Sequence, residues 1–387
     1  MKSKVVIVGG NHLNTLGVIR SLGREGLYLV VILTNGDKSS FVLKSRYVKE
    51  YYLVDGSAEA VKLLLQLGKS DSEKRVIIAC HDEIASEIDL NFDKLSQFYY
   101  LSGMNRQGGV SKMMDKEAMG RIAKTVGLNV PPMMICNAKT IQISKLNNPP
   151  YITKPVKSVL GKKSDISVFK DTGDLISFIN NHPDNSFIVQ QYIDRSFEFQ
   201  FMGCSLDGGE IIIIPGVSNI IRPTKSSNIG FLHYLQLDNT YNDSLAHSIS
   251  FIQTIKYSGL FSVEFIRDKD GKDWFLEMNF RNDGNTIAVM NAGVNLPFIW
   301  YLHCNGEDIE KEIKPIHDEF VMPEFYEIGL YTDGLISWKD LKEDMALATS
   351  YMCYAPDDLA PTRGWRDFRF QKTISPLKRI VKSIIRR

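Results

Sequence analysis

The stretch from Phe261 to Gly284 (FSVEFIRDKDGKDWFLEMNFRNDG) leaves the chain little choice but a pair of antiparallel strands. Phe261, Val263 and Phe265 alternate with Ser262, Glu264 and Ile266, the two-residue period of a strand. Asp270-Gly271 supplies a tight turn that tolerates positive φ. In the second strand, Asp273 to Phe280, the same period places Trp274, Leu276, Met278 and Phe280 on one face. Phe275, Glu277, Asn279 and Arg281 then share the other. Glu264 stands on the neighbouring strand within lateral reach of that row. A solvated face would account for the polar row alone, but not for its setting among Phe261, Phe265, Trp274, Phe275 and Phe280. Hard cations such as Mg2+ take oxygen ligands, usually a few carboxylates completed by phosphate oxygens. Glu264, Glu277 and the Asn279 carbonyl offer such oxygens. Arg281 offers a planar fork for a phosphate just beyond them.

The whole chain sets the bounds. Its 387 residues leave room for two or three domains, and 44% apolar with 24% charged residues describes an ordinary globular protein. Lys plus Arg (46) against Asp plus Glu (45) gives a net charge of +1, so no global field points to nucleic acid. The five cysteines are scattered with no C-x-x-C, which indicates neither a disulfide framework nor a zinc site. The start, MKSKVVIVGG, runs straight into a strand, and no apolar run is long enough to span a bilayer. A cytoplasmic protein is expected.

Strand–helix alternation opens the chain: strand Lys4–Val8, a helix through Leu16, Ile19 and Leu22 stopping at Gly26, and strand Tyr28–Leu33. Helix Ala58–Leu67, strand Val76–Cys80, helix Ile84–Leu90 and strand Phe98–Leu101 follow. This order predicts an open parallel sheet. GGNHLNTLG is not G-x-G-x-x-G, which argues against a dinucleotide cofactor. Asn11 and His12 follow one strand and Asp82 and Glu83 another, at the edge where such sheets bind ligands. For the two acids, complementarity to a helix dipole explains the placement equally well. Ser111 to Gly127 reads as one helix, stopped before Pro131-Pro132. Strand Tyr151–Val156 carries Lys154, and a lysine inside an apolar strand calls for a partner such as phosphate. The basic run Lys157 to Lys163 then forms a loop suited to closing over phosphates. Strands Phe187–Ile193 and Phe197–Gly203 follow, the second carrying Glu198, which is a site acid or simply a strand-face residue. Arg222, Lys225 and His233 lie between apolar strands and are candidates to meet an acidic substrate. Helix Leu245–Tyr257 leads into the hairpin, and helix Leu296–Cys304 follows it. Beyond about residue 320 the pattern becomes irregular, with Pro323, Pro356 and Pro361, and reads as a small appended region. The chain ends in PLKRIVKSIIRR, where Leu377, Ile380, Val381, Ile384 and Ile385 form an apolar stripe amid five cations. Such a helix either docks on its own protein or lies on an anionic membrane.

These spaced motifs resemble the ATP-grasp superfamily, of the carboxylate–amine/thiol ligase type with an N-terminal pre-ATP-grasp domain. Its signature is a Glu on one strand and Glu-x-Asn-x-Arg on the next, here Glu264 and Glu277-Met278-Asn279-Phe280-Arg281, with Phe280 in place of the usual Pro. The resemblance covers roughly residues 1–310. It implies an α/β and α+β fold: an open parallel α/β domain (1–108), a two-lobed ATP-grasp domain (109–320) with a hinge near 187–195, and the appended 321–387. It implies that Glu264, Glu277 and Asn279 hold Mg2+ against ATP, as two ions that Mn2+ can replace. Lys154 and Arg281 would neutralise the reacting phosphates. Lys116, Lys154, Gln190, Gln191, Tyr192, Ile193 and Glu198 would line the nucleotide, with the hinge backbone reading adenine. Gln191 stands where many members have Glu, and the 157–163 loop has one glycine where family loops have more. The implied reaction is ATP-dependent amide formation through an acyl phosphate, between a small-molecule or carrier-linked carboxylate and an amine. A membrane-bound tail would favour a cell-envelope or saccharide precursor at the inner membrane face. Two alternatives remain: a carbamoyl-phosphate or carboxylase-type enzyme using bicarbonate, and a non-catalytic ATP-binding regulator.

Overall fold

The computed structural model describes residues 4–70, 72–141, 149–155, 166–223 and 230–366. The N-terminal domain runs β1 (Lys4–Gly9), α1 (Leu13–Arg24), β2 (Tyr28–Thr34), β3 (Val48–Val54), α2 (Ser57–Lys69), β4 (Arg75–Ala79), α3 (Asp82–Leu90), α4 (Phe92–Leu95) and β5 (Tyr99–Tyr100). The strands form a parallel sheet in the order β3-β2-β1-β4-β5. Val5 to Val8 are fully buried, as a central strand covered on both faces requires. The edge strand β3 (VKEYYLV) escapes the sequence pattern because it is only half-buried, and Lys49 and Glu50 interrupt its apolar residues. At the carboxyl ends of β1 and β4, histidines cap the helices that follow. The His12 ring Nδ1 accepts the Asn14 N–H (3.2 Å) and the His81 Nδ1 accepts the Ile84 N–H (3.3 Å).

The apolar spacing predicts one helix from Ser111 to Gly127; the structure has α5 (Gly109–Met113) and α6 (Lys116–Thr125). Asp115 makes the break, its carboxylate accepting the Ala118 N–H at 2.8 Å as an N-cap. Lys116 is thereby fixed at the first turn of α6. A small lobe follows: β6 (Met133–Cys136), β7 (Tyr151–Pro155), β8 (Ser167–Phe169), α7 (Thr172–Asn180) and β9 (Phe187–Gln191), its antiparallel sheet ordered β6-β9-β7-β8. Tyr151, Phe187 and Val189 pack on Leu175 and Ile179 of α7. Strand alternation turns Lys154, Ile188 and Gln190 to the opposite face.

Residues 192–194 carry the chain into the large sheet. It contains β10 (Arg195–Leu206), β11 (Ile211–Ile213), β12 (Val217–Pro223), β13 (Gly230–Leu235), and, after α8 (Asn242–Ile255), the hairpin β14 (Gly259–Asp268) and β15 (Asp273–Asn279). Then come α9 (Thr286–Asn291), α10 (Leu296–Cys304), β16 (Glu319–Met322), α11 (Glu324–Thr332), α12 (Trp338–Leu347) and β17 (Ser350–Tyr351). The order is β15-β14-β10-β12-β13-β16-β17, with β11 beside β10. Phe199, Phe201, Phe261, Val263 and Phe265 bury one face against Met119 and Ala123 of α6 and Phe251 of α8. Met202, Cys204 and Leu260 on the other face join Ile299 of α10 and Leu16 of α1 in a core shared with the N-terminal domain.

The expected boundary at residue 320 falls inside β16, which pairs with β13 and β17. The segment after it is therefore woven into the large sheet and onto the N-terminal domain, not appended. Arg20 of α1, fully buried, meets Asp358 at 3.1 Å and donates to the Cys353 and Asp358 carbonyls. Short strands among prolines gave the sequence no period to show. No described helix is long and apolar enough to cross a membrane. The 157–163 loop, Lys225 and the 376–387 tail lie outside the described residues.

Candidate active site

In the hairpin, Glu264 stands directly opposite Glu277, and Ser262 opposite Asn279. The register shifts next to this pair: Phe265 faces Phe275, so Leu276 is an extra residue, a bulge. The bulge corrects the expected alternation. Phe275, predicted on the polar face, is 1% exposed and packs on Phe251 and Phe265. Glu277 and Asn279 stay on the opposite face, which β10 extends with the buried Gln200 opposite Glu264.

That face borders a cavity of about 600 Å³. Glu198, Glu264, Glu277 and Asn279 come from the large sheet, Lys154, Ile188 and Gln190 from the small lobe, and Lys116 and Met119 from α6. His12, Asn14, His81 and Asp82 close it from the carboxyl edge of the parallel sheet, joined by Arg281 and Asp283.

Opposite charges face one another across this space. The Asn279 Nδ2 donates to Glu264 Oε1 (2.8 Å) and Ser262 Oγ (3.2 Å), which fixes the carboxamide's orientation. Lys116 Nζ lies 3.6 Å from Glu277 Oε2. Lys154 Nζ donates to Gln190 Oε1 at 2.8 Å. Burial, and then the charge of Lys116, lower the Lys154 pKa to about 8 against the pull of Glu277, Glu264 and Glu198. The Arg281 Nε donates to Asp82 Oδ1 (2.7 Å), while its two terminal nitrogens reach Asp82 Oδ2 and Asp283 Oδ2 (3.4 Å each). Burial opposes its charge, but Asp82, Asp283 and Glu264 outweigh burial and raise its pKa. Burial lowers the pKa of both His12 and His81, and the Arg281 charge adds to the effect at His12.

Of the residues singled out from sequence, Lys116, Lys154, Gln190, Glu198, Glu264, Glu277, Asn279 and Arg281 share this one cavity. Glu198 is also ion-paired with Arg195. Gln191, Tyr192 and Ile193 lie outside the described lining; the Gln191 and Tyr192 N–H groups donate to the Pro132 and Pro150 carbonyls at 2.9 Å. Arg222 and His233 are not at the cavity. Arg222 is bound by Asp344 (2.7 Å), and His233 stacks on Phe320 and meets Asp318 (3.1 Å). The sequence pattern did not single out His81, Asn14 or Asp283. Asn14 ties the two domains, donating to the Cys80 and Asn282 carbonyls at 2.8 and 2.7 Å. Position just past a parallel strand is the sequence signal that His81 and Asn14 carry; Asp283 follows the antiparallel β15.

Among the described residues, no three His, Cys, Asp or Glu side chains gather to hold a metal by themselves. Two opposed carboxylates and a carboxamide carbonyl instead fit a hard cation whose shell phosphate oxygens complete.

A parallel α/β domain, a small antiparallel lobe and a large sheet bearing an acidic row facing lysines together make the ATP-grasp fold. No protein-family profile and no curated protein matches the sequence. Solved structures do match. N5-carboxyaminoimidazole synthetase from Staphylococcus aureus aligns over 86% of this chain and 86% of its own, at 15% identity and a TM-score of 0.65. L-amino acid ligase from Bacillus licheniformis aligns over 82% of this chain and 79% of its own (15% identity, TM-score 0.60). The biotin carboxylase domain of Hydrogenobacter thermophilus 2-oxoglutarate carboxylase, solved with MgADP and bicarbonate, aligns over 81% and 74% (16%, 0.62). At these identities the likeness establishes the fold, over most of the chain's length.

Proposed function

We propose that the chain is an ATP-dependent ligase that joins a carboxylate to an amine through an acyl phosphate. The observation that carries this reading is the Glu264–Glu277 pair facing Lys154 and Lys116 across one cavity, with Arg281 at its N-terminal-domain end. A substrate carboxylate oxygen attacks the γ-phosphorus, and ADP leaves with the bridging oxygen. The amine nitrogen then attacks the acyl carbon, phosphate departs, and the nitrogen loses a proton to solvent. No protein nucleophile is needed; the task is alignment and charge neutralisation. Lys154, held by Gln190, and Lys116 neutralise the nucleotide phosphates, and Arg281 faces the transferring one. Glu264, Glu277 and Asn279 would hold Mg2+, which when bound draws charge from the phosphate oxygens. Gln190 and Glu198 at the cavity wall would take the adenosine, whereas the Gln191 and Tyr192 N–H groups are spent on the Pro132 and Pro150 carbonyls.

Bicarbonate is a second choice of carboxylate, favoured by the likeness to a carboxylase domain solved with MgADP and bicarbonate; its product with an amine is a carbamate. Were the 376–387 segment to bind an anionic membrane, an envelope or saccharide precursor would be the favoured substrate; a tail docked on its own protein would carry no such preference. ADP release across a panel of carboxylate–amine pairs, with a bicarbonate arm, tests the assignment. Turnover that needs both partners supports a ligase. MgADP binding without turnover by any pair would leave a nucleotide-binding regulator.

A further inference from the structure

At the N-terminal-domain end of the cavity, one guanidinium meets two carboxylates. Asp82 binds Arg281 through both oxygens, yet its side chain remains 40% exposed. Asp283 is buried and already receives the Asn285 N–H (2.9 Å), the Ser262 hydroxyl (3.2 Å) and Arg281. The two histidines add no positive charge. The Nδ1 of each accepts a helix-capping N–H, so the single ring proton sits on Nε2, and burial favours the neutral form. The His81 Nε2 spends that proton toward Thr34 Oγ1 at 3.1 Å. Among the described lining residues, this end therefore holds Arg281 against Asp82 and Asp283, a surplus of one negative charge. The phosphate end holds Lys116 and Lys154 against Glu264, Glu277 and Glu198, the last offset by its ion pair with Arg195.

The two ends thus suit different reactants. The nucleotide phosphates find their counter-charges beside the lysines, and the substrate carboxylate attacks the γ-phosphate where Arg281 faces it. Resting on the ligase reading, we propose that the amine is a cation without a carboxylate of its own, bound at the N-terminal-domain end with Asp82 as its charge partner. An aliphatic amine is protonated at neutral pH, enters such a site as ammonium, and gives one proton to solvent to become the neutral nucleophile before it attacks. A second carboxylate on the same molecule would be repelled by Asp82 and Asp283.

The test is steady-state turnover by the full-length protein at a fixed carboxylate, with two sets of amines. One set is ethanolamine, putrescine and agmatine; the other is glycine and glutamate. The proposal expects kcat/KM for the first set at least tenfold above the second. It also expects Asp82→Asn to shrink that ratio at least tenfold. A ratio is read because loosening Arg281 lowers all rates together and leaves selectivity untouched. Equal or better use of glycine and glutamate by the wild type overturns the proposal alone, as does an unchanged ratio in Asp82→Asn. Absence of ATP turnover with every pair overturns the ligase reading and this proposal with it.

Discussion

Lys154 offers the most quantitative handle on the site. Its pKa stands at about 8, lowered from the ordinary lysine value of 10.5 by burial and by Lys116. That shift is worth about 3 kcal/mol between the two protonation states. A nucleotide phosphate beside Lys154 restores the charged form, so binding takes up a proton wherever free Lys154 is neutral. The sign follows from linkage. Below about pH 8 the free lysine is already charged and affinity is flat; above it, affinity falls as pH rises, until the bound-state pKa is reached. Between about pH 7.5 and about pH 9.5 the charged fraction of the free site drops about 25-fold, or about 2 kcal/mol of MgADP affinity. The nucleotide phosphates have lost their last protons below this range and add little slope. Calorimetric titration in buffers of different ionisation enthalpy reads both the affinity and the proton uptake. Lys154→Arg keeps the charge at every pH and should flatten the profile. Lys154→Ala should flatten it too, and weaken binding at neutral pH by about 1–3 kcal/mol. A wild-type affinity that does not change between these pH values would refute the reasoning and place Lys154 away from the phosphates.

Three further outcomes are expected. Glu277→Gln removes one anionic ligand while keeping shape, so turnover should fall at least about a hundredfold with the melting curve intact; an unchanged rate would remove Glu277 from the site. Asp358→Ala strands the buried Arg20 guanidinium and should cost about 3–5 kcal/mol in urea unfolding, whereas a loss under about 1 kcal/mol would mean that Arg20 finds another acceptor. Removal of residues 376–387 should abolish co-sedimentation with anionic vesicles at low salt; equal partitioning of the full and shortened chains would assign the tail to packing.

The open parallel sheet and the face of the acidic hairpin were legible in the sequence, whereas the finer pairing of elements was not. Glu264, Glu277, Asn279 and Arg281 could be placed together because a two-residue period and a turn fix their faces. Periodicity carries no sign of a bulge, so Phe275 was expected on the wrong face until Leu276 appeared as the extra residue. The single helix predicted from Ser111 divides because the Asp115 side chain competes for a backbone N–H, a local preference that apolar spacing cannot show. Strand β3 and the pairing of β16 with β13 stayed hidden because edge and short strands are too little buried, or too brief, to show a period. The contacts of Asp82 and Arg222 were beyond sequence for another reason. Their partners Arg281 and Asp344 lie 199 and 122 residues away, and only the folded chain brings them together.

The most direct measurement follows the oxygen. When a carboxylate labelled with heavy oxygen is turned over with ATP and an amine, an acyl-phosphate route carries one labelled oxygen into the released phosphate. Mass spectrometry of that phosphate should show one heavy atom per product formed, and none when the amine alone is labelled. Product accompanied by unlabelled phosphate would mean that the carboxylate never attacked phosphorus, and would contradict the ligase mechanism proposed for this cavity.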